Sequence, residues 1–354
     1  MSRFFSTKYA DLTPYTPGEQ PKDTQYIKLN TNESPFPPTP NAIRMAAEAA
    51  GNLQLYSDPE CRDLVQKAAE IFGVAEDEIL FTNGSDEILN FAFMAFCDKD
   101  HPVVFPDITY GFYKVFAALN AIPYDQIPLE EDFTICPQAY HGLNKTIVIA
   151  NPNAPTGIAL SVEEIEEIIK SNPDNVVIID EAYVDFGAES VIPLIGKYDN
   201  LLVTGTFSKS RSLAGGRLGF GIGCRGLIRD LNTIKYATNP YNVNRMTMAA
   251  GVGTLLDEAY IKENCRKIME VREWTQQMLR QMGFVLTDSQ ANFIFAKHPI
   301  ADGREIYLRM KEKGVLIRHF DTPRLGQYNR ITVGSREQME IFLEKLNQVL
   351  EELI

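Results

Sequence analysis

Lys209 follows directly on an apolar run, in LLVTGTFSKS at 201–210. A lysine becomes a nucleophile towards carbonyl groups when its surroundings lower its pKa. Alone on a loop it would be an ordinary solvated charge, but its neighbours argue otherwise. Thr206, Ser208 and Arg217 bring two hydroxyls and a guanidinium, a ready cup for a phosphate. Gly84, Ser85 and Asp86, within TNGSDE at 82–87, open a helix whose first N–H groups and dipole also suit an anion. Ser85 or Asp86 could equally be a plain N-cap, which does not exclude anion binding. Asp180 ends the run NVVIID, where a carboxylate is costly unless it meets a partner, and Tyr183 follows three residues later.

These residues need rigid elements beneath them. Apolar strand patterns are read at 78–84, 102–105, 121–127, 146–153, 175–183 and 201–210. Helical patterns lie between them at 41–51, 59–73, 85–96, 109–120 and 161–170, the last with Ser161 and Glu164 in capping-box spacing. Strands that are apolar throughout, separated by helices, imply an α/β fold with a mostly parallel sheet covered on both faces. Ligands in such folds sit past the carboxyl ends of the strands, where the polar segments 82–87, 151–157, 180–183 and 206–210 fall. GFGIG at 219–223 lacks dinucleotide-loop spacing and reads as a glycine-rich strand close beside the site.

The texture changes after about residue 235. A long helical tract is expected at 244–282, strands at 291–297, 314–320 and 329–334, and helices at 303–314 and 335–353. Residues 1–40, rich in Pro, Thr and Asn, read as an extended arm. The expected organisation is an arm at 1–40, a large domain at 41–240 and a smaller α+β domain at 241–354.

Composition narrows the function classes. The 354 residues carry a formal charge of −13, which disfavours non-specific nucleic-acid binding. The five cysteines form no C-x-x-C pair and the four histidines show no ligand spacing, so no metal site is expected and the thiols read as reduced. No leader peptide and no membrane-length apolar stretch is seen, so a cytoplasmic protein is expected.

The order of TNGSDE, NPNAPTG, DEAY, TFSKS and GGRLGFG resembles that of fold-type I pyridoxal-phosphate (PLP) aminotransferases, from about Asn30 to the end. The resemblance implies PLP as cofactor, a small-molecule amino donor and a 2-oxo acid as partners, and a homodimer with shared active sites. It implies that Lys209 holds PLP covalently, that Asp180 keeps the pyridine nitrogen protonated and that Tyr183 reaches the phenolic oxygen. Tyr110 would stack on the ring, and Gly84, Ser85, Asp86, Thr206, Ser208 and Arg217 would hold the phosphate. Relatives carry Asn before PTG where this chain has Ala154, and Asn153 or Asn151 is a candidate substitute. LTPYTPGEQ, KLNTNESPFPP, LYSDPEC and NRITVGSRE are similar to the histidinol-phosphate branch of the family. That branch implies that Tyr56 reaches the partner subunit's PLP phosphate. It also implies that Tyr15, Arg318 and Arg330 bind the substrate and that Asn32 and Glu33 line the entrance. The implied reaction exchanges the amino group of L-histidinol phosphate with 2-oxoglutarate in histidine biosynthesis. An aromatic or broad-specificity aminotransferase would share every cofactor residue, and a relative of threonine-phosphate decarboxylase would share the fold and much of the motif set.

Overall fold

The computed structural model describes residues 2–21 and 26–354; the part of the expected arm at 22–25 lies outside the described residues. The arm contributes a two-residue strand, β1 (Ile27–Lys28), and is followed by α1 (Pro40–Ala50) and α2 (Arg62–Phe72). Then come β2 (Ile79–Thr82), α3 (Ser85–Phe96), β3 (Val103–Pro106), α4 (Phe112–Leu119), β4 (Tyr124–Ile127) and β5 (Thr146–Ala150). The first half closes with α5 (Val162–Ser171), β6 (Val177–Asp180), β7 (Leu201–Thr206) and β8 (Gly219–Gly223). α5 starts at the expected capping box, Ser161 accepting from the Glu164 N–H while the Glu164 carboxylate accepts from the Ser161 N–H.

Strands β2 to β8 form one seven-stranded sheet in the order β2-β8-β7-β6-β5-β3-β4. β8 alone runs antiparallel to its neighbours, and the other pairings are parallel. Successive residues leave opposite faces of a strand. Ile147, Ile149, Val177, Ile179, Leu201 and Val203 therefore enter one core. Val148, Ile178 and Leu202 enter the core on the other face. Burial on both sides is why these strands carry no polar alternation.

The sequence pattern missed one helix, α6 (Arg225–Thr238), whose buried face is only Ile228, Leu231 and Lys235. The helical tract after it is two helices, α7 (Arg245–Leu256) and α8 (Glu258–Gln281), parted at Asp257. The Asp257 carboxylate accepts from the backbone and side-chain N–H groups of Asn41 at the start of α1, at 3.0 and 2.7 Å. α7 lies against α1 so closely that a Cβ on Gly253 would meet the Asn41 carbonyl at 2.5 Å. α7 thus packs in the core of the seven-stranded sheet, and α8 carries the chain into a second core.

That second core is built on β9 (Val285–Leu286), β10 (Phe293–Lys297), α9 (Gly303–Glu312), β11 (Val315–Leu316), β12 (Arg318–His319), β13 (Tyr328–Thr332) and α10 (Arg336–Leu353). Four of its strands pair in the order β12-β13-β10-β9. The single strand expected at 314–320 divides at Ile317: β11 pairs in parallel with β1 of the arm, and β12 pairs antiparallel with β13. This division ties the arm to the second sheet. No helix among the described residues is long and apolar enough to cross a membrane.

Candidate active site

The carboxyl ends of β2, β5, β6 and β7 open towards one cavity of about 410 Å³. Lys209, Asp180, Tyr183, Ser85, Asp86, Tyr110, Thr206, Ser208, Arg217 and Glu33 all line it. A larger groove of about 730 Å³ lies at Asn200 and Cys224, at the end of the sheet where β2 and β7 begin, and holds none of these residues.

Lys209 sits just past β7, and its Nζ donates to the Thr31 carbonyl at 3.2 Å. Burial pulls its pKa down to about 8, aided by Arg330 and opposed by Glu33 and Asp86. The amine is therefore a workable nucleophile near neutral pH. Asp180, 4 % exposed, accepts from the Tyr113 hydroxyl on Oδ2 at 2.9 Å. Its Oδ1 has no hydrogen-bond partner among the described residues. Burial pushes the carboxyl up to about 6, against the Tyr113 hydrogen bond. A buried carboxylate with a free oxygen on a cavity wall calls for a cationic or donating group there. Tyr113 has a signal in the sequence, because it stands three residues from Tyr110, on the same side of the turn that opens α4. The Thr31 carbonyl has none, since any residue offers one.

The anion cup is built on close backbone contacts. Gly84 has φ +83, which suits glycine, and a Cβ there would sit 2.5 Å from Arg217 Nη2. Arg217 donates to Asp86 at 3.1 Å and to Ser208 Oγ at 3.4 Å. Tyr110 donates to the other Asp86 oxygen at 2.7 Å. Gly219 on β8 lets the strand pass directly under this turn. Its Cβ would meet Ser85 N at 2.3 Å and Gly84 C at 2.4 Å, backbone atoms that cannot rotate away. Gly219→Ala should therefore displace the turn and weaken cofactor retention at least tenfold, read as the dissociation constant in a fluorescence titration; an unchanged constant would remove the turn from the anion cup.

A second cavity of about 640 Å³ adjoins the first, sharing Tyr110 and Ala154. Tyr15, Arg318 and Arg330 line it. Arg318 and Arg330 stand opposite each other on β12 and β13. Arg330 donates to the Asn30 carbonyl at 3.1 Å and lies over the rings of Phe293 and Phe320, and its Nε has no partner among the described residues. Tyr15, carried in by the arm, stacks on Phe112 with centroids 4.2 Å apart.

Four expected residues lie elsewhere. Asn153 is no cofactor ligand here: its amide donates to the Ile108 carbonyl and Thr156 Oγ1 and accepts from Thr109 Oγ1, pinning the loop behind the cavity. The Asn151 amide is likewise spent, on both backbone groups of Leu160. Neither replaces the absent amide at Ala154. Asn32 is 1 % exposed and lines neither cavity, so its placement at the entrance is corrected; its amide donates to the Tyr183 hydroxyl at 3.0 Å. Tyr56 is 80 % exposed, outside the cavities of its own chain, and stacked on Tyr241 at 4.7 Å.

PLP fits this donor set. It would meet a buried lysine, an Asp180 oxygen without a partner among the described residues, and an arginine and two hydroxyls beside a helix start that has no side-chain cap. Comparison with known proteins agrees. The family described as aminotransferase class I and II matches residues 24–346. The chain is 48 % identical to the histidinol-phosphate aminotransferase of Brachyspira hyodysenteriae, over 99 % of this chain and 100 % of that one. It is 48 % identical to the Marinomonas sp. protein of the same name, over 96 % and 97 %. The crystal structure of histidinol-phosphate aminotransferase from Sinorhizobium meliloti in complex with pyridoxal-5'-phosphate superposes with TM-score 0.86 at 25 % identity, covering 94 % of this chain and 92 % of that one.

Proposed function

The chain belongs to the class I and II aminotransferases, PLP-dependent enzymes, and we propose that it transfers the amino group of L-histidinol phosphate to 2-oxoglutarate, a step of histidine biosynthesis. One observation supports this substrate above the others. Two arginines face each other across β12 and β13 in the cavity next to Lys209, with Tyr15 beside them. A guanidinium fork binds phosphate or carboxylate bidentately, and two of them suit a dianion at the far end of the donor.

When bound, PLP supplies an aldehyde to carry the amino group and a ring to accept the electron pair released at the donor's Cα. The chain's own residues do the rest. Lys209 would hold the cofactor covalently, and its free amine would take the proton from the donor's Cα. Asp180 offers its free Oδ1 to the ring nitrogen and keeps a proton there. Tyr183 donates to the phenolic oxygen, and Tyr110 covers the ring face. Thr206, Ser208, Arg217 and the N–H groups of Gly84, Ser85 and Asp86 grip the phosphate. Arg318, Arg330 and Tyr15 hold the donor's phosphate and, in the return half, a carboxylate of 2-oxoglutarate.

The active unit in this reading is a homodimer. Leu53, Leu55, Tyr56 and Tyr241 expose between 44 % and 80 % of their surface, the kind of apolar patch a second copy covers. Tyr56 on that patch would reach the partner's phosphate cup. Five free cysteines are in keeping with a reducing compartment, and we place the enzyme in the cytoplasm.

An assay with histidinol phosphate and 2-oxoglutarate, coupled to glutamate detection, tests the substrate. Phenylalanine, tyrosine and dephosphorylated histidinol should react at least 100-fold more slowly in kcat/KM, because each leaves the arginine pair without its dianion. Faster turnover of the aromatic amino acids would instead assign an aromatic aminotransferase.

A further inference from the structure

Ala154 leaves the phenolic side of the cofactor without the amide that relatives place there, and Asn151 and Asn153 are spent elsewhere. The amide that does reach this side belongs to Asn32. We propose that Asn32 is a positioning residue: it fixes the direction in which the Tyr183 hydroxyl donates its proton. The inference rests on reading the cavity as a PLP site.

The proton bookkeeping follows from three contacts. The Asn32 backbone N–H donates to Thr332 Oγ1 at 2.9 Å. Thr332 donates its single hydroxyl proton to Asn32 Oδ1 at 3.0 Å. The Asn32 Nδ2 then faces Tyr183 and donates to its oxygen at 3.0 Å. Turning the amide over would leave the proton of Thr332, 2 % exposed, with no acceptor among the described residues. Tyr183 therefore accepts from Asn32, and its own proton is left for the cavity that it lines. A hydroxyl whose lone pair is already engaged by a donor is also the better donor.

The backbone holds this arrangement in place. Asn32 has φ +56, a conformation asparagine tolerates better than most residues, and its carbonyl accepts from Asn292 Nδ2 at 3.1 Å. β13 supplies Thr332, so the second sheet sets the proton direction of a tyrosine that follows a strand of the first. The charged groups near Tyr183 are Arg330, Lys209, Asp180 and Asp86.

Two neutral substitutions test the proposal without touching those groups. Asn32→Gly accepts the positive φ and removes the amide. Thr332→Val keeps the shape and removes the proton that orients the amide, and serves if the first variant folds poorly. The readout is the pH midpoint at which the visible absorption of the bound cofactor changes, with Tyr183→Phe as reference. Each variant should move the midpoint in the same direction as Tyr183→Phe and by at least half as much. Turnover should fall about tenfold while the donor KM changes less than twofold. In the Tyr183→Phe background neither should move the midpoint further. A midpoint that stays put in both variants while Tyr183→Phe moves it would overturn the inference, and so would a shift that persists undiminished in the Tyr183→Phe background. If Tyr183→Phe itself leaves the midpoint unchanged, what fails is the assignment of Tyr183 to the phenolic oxygen.

Discussion

Lys209→Ala should lower kcat by about 10⁴-fold, the full value of a positioned base, while leaving the fold and the phosphate cup intact. The residue lines the cavity with one hydrogen bond among the described residues, to the Thr31 carbonyl, so its removal leaves one carbonyl short of a donor and little else. Borohydride treatment of the loaded protein, followed by peptide mapping, should find the cofactor on the peptide that carries Lys209 and nowhere else. Lys209→Arg should be as inactive as the alanine variant, because guanidinium stays protonated and can neither bond covalently nor accept a proton. A pH dependence follows from the amine pulled down to about 8. Only the neutral amine attacks an aldehyde, so the rate of cofactor uptake by the cofactor-free protein should rise about tenfold per pH step below 8 and level off above it. Uptake that is flat between pH 6 and 8, or full turnover by the alanine variant, would refute the assignment.

The second large effect is expected at Asp180, and it has opposite signs with and without cofactor. Asp180→Asn should cut turnover by about 10³-fold, since an amide cannot hold a proton on the ring nitrogen against a neighbouring positive field. In the cofactor-free protein the same change should stabilise the fold. The carboxyl is pushed up from 3.8 to about 6 by burial. A raised carboxyl means that the folded protein binds more protons than the unfolded chain between about pH 4 and 6. Stability is therefore lost as pH rises through that window and stays lost above it. The asparagine variant avoids this loss, by about 2–3 kcal/mol at pH 8 and by nothing near pH 4. Denaturant midpoints of cofactor-free wild type and variant at pH 5 and pH 8 give the comparison; a variant less stable than wild type at pH 8 would show that Asp180 has a cationic partner already within the chain. This is the exchange between stability and activity expected of a group kept for its chemistry.

Chemistry at strand ends was legible because it depends on residue type and on one topological rule. Lys209, Asp180, Ser85, Thr206 and Ser208 all come to one cavity, as the rule for parallel sheets implies. The glycine-rich strand at 219–223 was expected close beside the site, but that Gly219 meets the backbone of Gly84 and Ser85 is a contact between two distant segments, which no pattern along the chain shows. α6 was missed because its buried stripe of Ile228, Leu231 and Lys235 includes a lysine, which a hydrophobic pattern counts as surface. The break at Asp257 was hidden because its cause is a hydrogen bond to Asn41, over 200 residues away in sequence.

What this sequence determined by itself is local: which segments can be buried strands, where helices start, and which side chains can hold an anion, accept a proton or attack a carbonyl. Tertiary structure alone decided where the amides point. Asn153 and Asn32 are identical in type and both lie near chemistry-bearing motifs, yet one faces the loop behind the cavity and the other faces Tyr183. A hydrogen bond needs its partner within about 3 Å and in line, and those partners, Ile108 and Thr332 among them, come from other strands and loops. Spacing along the chain carries periodicity; it carries no information on which distant acceptor will be within reach.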